Sequence, residues 1–303
     1  MKRLFLRFIC LGLLFLGSFS LLGALEMELT GGVNLMTYHP DRTRAHSEPD
    51  NEASEFSFYP MGVGNFRLSG DINDMMGFRI NIERDNILQN SLNIIFLAKN
   101  DYFKIELGPF VGLCDSLDTP DGGIFGGIEL SLPGIAALSV SGFTSLGTDF
   151  DFTSNNYREG IEAGLRFWLP KMIVTASAGT KCLSRSKEEE LGALTRNDDL
   201  KRLMLNIDFY SKSSPVIVSV KGGYQIYSRI YKRGNTSIED NVNSFFGGFD
   251  IHVEVSSSFK LKAGLEIPFL LTAEEPMTVT PEFLNLSKFT IGFIAILDNK
   301  NKW

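Results

Sequence analysis

The sequence predicts an all-β chain: a closed, up-and-down antiparallel barrel of about fourteen strands that crosses a membrane. Three observations predict it. Apolar residues recur with a period of two along almost the whole chain, while charges gather on the opposite parity. Connections alternate between long polar loops and short turns of Gly, Pro, Ser, Asn or Lys, a segregation that suits the two ends of a membrane barrel and has no purpose in a soluble sandwich. The terminal segment Lys288 to Leu297 is itself amphipathic, with Phe289, Ile291, Phe293, Ala295 and Leu297 on one parity. A last strand that pairs with the first leaves no edge inside a bilayer.

Composition narrows the class. The chain has 303 residues, 44% of them hydrophobic, and a net charge of −7, which gives no reason to expect nucleic acid as a partner. Beyond the first two dozen residues no run approaches the ~20 apolar residues of a spanning helix. At the N-terminus Lys2, Arg3 and Arg7 precede an apolar segment from Phe8 to Leu22, and small residues Gly23 and Ala24 follow. That order predicts a cleaved secretory signal over residues 1–24 and a barrel domain over 25–303. Cys10 lies within the apolar segment behind Phe8 and Ile9, a poor context for lipidation. Cys114 and Cys182 remain after cleavage, too few and too far apart for a disulfide framework, and are expected as free thiols.

The elements follow in order. Leu29, Gly31, Val33 and Leu35 mark the first strand, and the polar stretch His39 to Glu55 reads as a long loop. Phe56 to Gly70 returns, Asp71 to Met76 turns, and Phe78, Ile80 and Ile82 alternate with Arg79, Asn81 and Glu83. Leu92 to Ala98 and Phe103 to Leu113 flank a turn at Lys99 to Asp101, and Cys114 to Asp121 loops. Gly122 to Leu132 and Ile135 to Ser145 flank a two-residue turn, Pro133 and Gly134. After the loop Ser145 to Asn156, Tyr157 to Leu169 and Met172 to Leu183 are joined by Pro170 and Lys171. The charged stretch Ser184 to Lys201 is expected to loop before Arg202 to Ser211, which turns at Lys212 to Pro215 into Val216 to Ser228. Arg229 to Asn243 is expected to loop, Ser244 to Val255 and Phe259 to Phe269 flank Ser256 to Ser258, and Leu270 to Pro281 precedes the closing strand.

Aromatic residues gather near strand ends and predict two interfacial girdles. Phe110, Phe125, Phe143, Tyr157, Tyr224, Phe245 and Phe269 would lie near the loops with Tyr38, Phe56 and Phe283, and Phe66, Phe78, Phe103, Phe167, Trp168, Phe209 and Phe259 near the turns.

Parity assigns the lumen. The inner face would carry Arg67, Arg79, Lys104, Arg158, Arg166, Lys221, Lys260 and Lys262, balanced by Glu83, Glu106, Glu129, Glu162, Asp208, Asp250, Glu254 and Glu266, with His252 among them. Rings of charge set selectivity in pores, and here both signs are balanced, so many of these groups are expected to pair with one another and selectivity to be weak.

Over residues 25–303 the pattern resembles single-chain, monomeric outer-membrane porins of about fourteen strands, at the level of architecture and without a family motif. The spacing of Thr290, Gly292, Ala295 and Leu297 is similar to the C-terminal assembly signal of bacterial outer-membrane proteins. The resemblance implies a bacterial outer-membrane location, surrounding lipid, assembly machinery that reads the last strand, a monomer, no cofactor or metal, and passive diffusion of small hydrophilic solutes. Two alternatives accompany it: a structural or adhesive barrel with ligand-binding outer loops, and a transporter of hydrophobic compounds of the fatty-acid transporter type. Those transporters resemble the chain in strand number but begin with a plug, for which the first strand leaves no room here.

Enzyme chemistry is not expected. No His-x-Ser element of outer-membrane lipases occurs around His39, His46 or His252. Omptin-like proteases use an Asp-x-His pair and two further aspartates at the outer rim. Asp250 and His252 would lie near the turn at Ser256, whereas Asp149 and Asp151 fall in an outer loop.

Overall fold

The computed structural model describes residues 25–37, 59–85, 88–113, 120–149, 155–187, 194–210, 214–233, 236–273 and 287–297. The expected signal segment, the loop His39 to Glu55 and Cys114 lie outside them.

Fourteen antiparallel strands follow one another in chain order: β1 (Leu25–Thr37), β2 (Tyr59–Asp71), β3 (Met76–Asp85), β4 (Gln89–Lys99), β5 (Phe103–Leu113), β6 (Asp121–Leu132) and β7 (Ala136–Asp149) make the first half. The second half comprises β8 (Asn155–Leu169), β9 (Met172–Lys187), β10 (Leu194–Phe209), β11 (Val216–Arg233), β12 (Thr236–Ser256), β13 (Phe259–Ala273) and β14 (Lys288–Leu297). Each pairs with its sequence neighbours, and β14 pairs with β1 from Leu25↔Leu297 to Asn34↔Lys288, so the sheet closes without an edge. No helix occurs among the described residues.

The period of two becomes an inside and an outside. On β8 the outward row is Phe167, Leu165 and Ile161, on β5 it includes Ile105 and Leu107, and on β14 Phe289 and Ile291. Leu107 is 60% exposed and so is Ile291, a belt of bare aliphatic side chains that water would not tolerate and hydrocarbon solvates. The belt is bounded toward the loops by polar outward positions, Glu159 on β8 and Asp199 and Lys201 on β10.

The turns at one end have local causes. Asn73 Oδ1 accepts the Met75 and Met76 amides at 2.9 and 2.8 Å, and Asn100 Oδ1 accepts those of Tyr102 and Phe103 at 2.8 and 2.9 Å. Both are side-chain mimics of a backbone turn. At Pro133 and Gly134 the Ile135 amide donates to Leu132 O at 3.0 Å, with Gly134 at φ 73°, which a side chain would disfavour.

Three expectations need correction. The stretches Ser184 to Lys201 and Arg229 to Asn243 are mostly strand, because β9 runs to Lys187, β10 begins at Leu194, and β11 and β12 continue to Arg233↔Thr236. Beyond the bilayer both faces of a hairpin meet water, so ladder hydrogen bonds continue where the apolar alternation stops. β9 to β12 thus form a tall sector of 16, 16, 18 and 21 residues, against 10 and 11 for β3 and β4. Second, loop lengths do not alternate strictly, since residues 86–88 and 234–235 are short connections at the loop end. Third, Phe110, Phe125, Phe143 and Trp168 point inward and leave the girdles, as their register partners Gly123, Gly108, Gly160 and Ile173 share the lumen face. Phe110 and Phe143 stack there at 4.7 Å. An outward row at the loop side does form from Tyr224, Phe245 and Phe269, with centroids 5.1 and 6.3 Å apart.

Candidate functional site: the charged lumen

Residues directly opposed in an antiparallel ladder share a face. The register therefore places the sequence-assigned charges on one wall. Arg67 faces Glu28, and Arg79 and Glu83 face Ser69 and Asn65. Lys104 faces Glu129 and Glu106 faces Gly127, while Glu162 and Arg166 face Ser141 and Ala137, and Arg158 faces Leu183. Asp208 faces Ser219 and Lys221 faces Asn206; Asp250, His252 and Glu254 face Gly264, Lys262 and Lys260, and Glu266 faces Gly248. These positions form the inner wall. Glu28, Asp85, Lys181, Arg202 and Lys288 join them, and sequence reasoning passed over all five. Arg202 sat at the margin of a supposed loop, and the parity of Ser177 and Gly179 on β9 was the signal for Lys181.

The inner charges are organised in tiers. Nearest the turns, Arg79 donates to Glu106 at 2.7 Å, and Lys104 lies 3.1 Å from Glu106 and 3.5 Å from Glu129. Across the closing seam, Lys262 on β13 donates to Glu28 on β1, whose other oxygen lies 3.4 Å from Arg67. Residues Asp208, His252, Glu254 and Lys260 line a cavity of about 440 Å³ at this mouth.

In the middle tier, Arg202 on β10 donates to Glu266 on β13 at 2.7 Å and lies 3.9 Å above the Phe246 ring. Stacking on an aromatic face holds a guanidinium in place without consuming its remaining donors. Lys221 donates to Asp250 at 3.0 Å and lies 3.7 Å from Glu266. A cavity of about 650 Å³ opens beside this tier, lined among others by Arg166, Trp168, Asp208 and Lys288.

Toward the loop end the contacts change character. Lys181 on β9 donates to Asp85 at 2.8 Å and to Glu83 at 3.1 Å, both on β3. Arg158 on β8 donates through Nη1 to Asn90 O on β4 at 3.0 Å, and its Nε lies 3.3 Å from Asp121 on β6. Arg158 is fully buried, and its guanidinium occupies the space over Gly112 on β5, where a Cβ would stand 2.1 Å from Nη1.

These groups can bind ions transiently and orient dipolar solutes; among the described residues no cluster has metal-ligand composition. Asp250 and His252 lie near the β12–β13 turn, whereas Asp149 ends β7 at the opposite mouth, opposed to Asp121. Asp149 and the Asp250–His252 pair are thus at opposite ends of the barrel, and Asp151 lies outside the described residues.

No protein-family model and no curated protein matches the chain. Among solved structures, a FadL homologue from Pseudomonas aeruginosa is similar with a TM-score of 0.51 and 11% identity, over 91% of this chain and 89% of that one. An outer-membrane channel from Pseudomonas putida F1 has a TM-score of 0.45 and 9% identity, over 91% of this chain and 97% of that one. OmpT, an outer-membrane protein of Vibrio cholerae, has a TM-score of 0.44 and 9% identity, over 91% of this chain and 97% of that one. At such identities the likeness is one of fold. The chain has the closed, apolar-belted fold of bacterial outer-membrane β-barrels.

Proposed function

We propose that the protein is an outer-membrane pore for passive diffusion of small hydrophilic solutes, exported by a cleaved signal over residues 1–24 and inserted as a monomer through its last strand. The observation that carries this reading is the sorting of the wall: hydrocarbon side chains outside, and inside a set of Lys, Arg, Asp and Glu that borders cavities at every height. A barrel serving only as a scaffold gains nothing from an inner wall of ionised groups, since each costs desolvation unless paired or hydrated. The P. aeruginosa neighbour is a FadL homologue, and a path for hydrophobic compounds would be the corresponding alternative. The charged wall favours hydrophilic cargo over it. Because both signs are paired across tiers, the pore should discriminate weakly by charge.

The test is electrical. The protein, purified, refolded and added to a planar bilayer, should give stable open channels with a reversal potential close to zero in a salt gradient. No channels from a correctly folded barrel would point instead to a structural or adhesive barrel whose outer loops carry the binding.

A further inference from the structure

The geometry points to Lys181 and its partners Glu83 and Asp85 as a strut across the lumen that sets both the width of the pore and its charge preference. This inference rests on the pore reading above. It begins from a distance that a round barrel cannot satisfy. β3 and β9 are six strand intervals apart in a ring of fourteen, almost diametrically opposed. With about 4.8 Å between strands and a tilt near 40°, a round barrel is roughly 28 Å across, and the chord over six intervals is about 27 Å. An extended lysine meeting a carboxylate at hydrogen-bond distance spans only on the order of 13 Å from Cα to Cα. The contacts at 2.8 and 3.1 Å therefore require the two walls to approach to about half the round diameter at this height.

A second contact shows the same flattening. Arg158 reaches from β8 over the Gly112 backbone position on β5 to the Asn90 carbonyl on β4, four intervals from its own strand. Only glycine at 112 leaves that path open. One side of the barrel, β3 to β6, is thus tied to β8 and β9.

The strut divides the lumen. A cavity of about 420 Å³ is lined by Lys181, Asn93, Phe125 and Glu162, and one of about 250 Å³ by Glu28, Asn65 and Lys262; Glu83, Asp85 and Lys288 line both. The carboxylates of the strut stand at the partition between them. The side chains of Lys181 and Glu83 keep 36% and 31% exposure, so the pair is hydrated and borders the path of a passing solute. The strut itself carries one ammonium and two carboxylates, so removing either side changes local charge as well as width.

The experiment compares single-channel conductance and reversal potential for the refolded wild-type protein and three variants, each first shown to be folded by its gel mobility with and without heating. Lys181→Ala should raise conductance by about two-fold or more and shift the preference toward cations, because the variant removes one ammonium from the lumen beside Glu83 and Asp85. Glu83→Gln with Asp85→Asn leaves β9 untouched, should also raise conductance, and should shift the preference toward anions. Lys181→Asp with Asp85→Lys rebuilds the strut in reverse with the same total charge and should return conductance to the wild-type value. If the wild-type protein conducts and the first two variants match it in conductance and reversal potential, the strut inference is overturned while the pore reading stands. If neither the wild-type protein nor any variant conducts, the pore reading fails and the strut with it. A closed wild-type protein whose Lys181→Ala variant conducts would support the strut and overturn the reading of the unaltered protein as an open pore.

Discussion

Replacing Leu205 by arginine sets the face assignment against a quantity. The outward row of β10 runs Phe209, Ile207, Leu205, Leu203 and Lys201, so Leu205 lies midway between the aromatic at the turn end and the first outward charge toward the loops. Four residues of tilted strand rise about 10 Å, more than the ~7 Å an arginine can snorkel. Its register neighbours are Ala176 and Gly222, too small to shelter the guanidinium. The cost should therefore lie toward the upper part of the ~2 to 4 kcal/mol found for arginine near the midplane of such barrels. That range corresponds to a folding equilibrium weakened between about 30-fold and 700-fold. The next residue, Asn206, faces the lumen, where its amide donates to Asp208 at 2.7 Å, and Asn206→Arg should leave folding within about 0.5 kcal/mol of the wild type. Reversible urea titration of folding into lipid vesicles, read by tryptophan fluorescence and gel mobility, measures both. Equal losses for the two neighbours would refute the alternation on which the lumen assignment depends.

Other outcomes follow from the same wall. Gly112→Ala should cost about 1 to 3 kcal/mol by displacing the buried Arg158 guanidinium, whereas Gly126→Ala, whose added Cβ would meet nothing closer than 4.0 Å, should be nearly silent in the same titration. Epitope tags placed at 188–193 or within His39 to Glu55 should be reached by antibody on intact cells, and tags at 72–75 or after Ser256 should not; reversed labelling would invert the barrel. Cys182 is a free thiol whose register neighbours are Glu159 and Asp199, and mass spectrometry of a non-reduced digest should contain no peptide linking it to Cys114.

The sequence made the two faces legible because lipid enforces them residue by residue. Ile105 beside Lys104, or Leu205 beside Asn206, declares its side without reference to any other strand. Strand ends are different. Past the belt a hairpin is held by its ladder alone, and Tyr231, Lys232 and Arg233 look like loop residues although they continue β11. The signal there was Gly234 with Asn235, a hairpin dipeptide between two β-prone segments. Tier pairs such as Lys104 and Glu129 follow from neighbouring strands and are open to inference. The contact of Lys181 with Asp85 joins residues 96 positions apart, and it depends on the cross-section of the closed ring, which no local pattern encodes.

The tall sector also settles which parts of the chain have the reach to cover the mouth. At the rim of β11 and β12 only residues 234–235 connect the strands, and two residues span about 7 Å, half the roughly 14 Å from wall to axis. This side is a parapet with no slack to lend. Between β13 and β14 residues 274–287 have a contour length of about 48 Å, and between β1 and β2 residues 38–58 have about 70 Å, several times the radius. The two connections with the greatest reach over the outer opening therefore flank the seam where the barrel closes, and shortening either of them would change what can lie across it more than shortening the β11–β12 hairpin would.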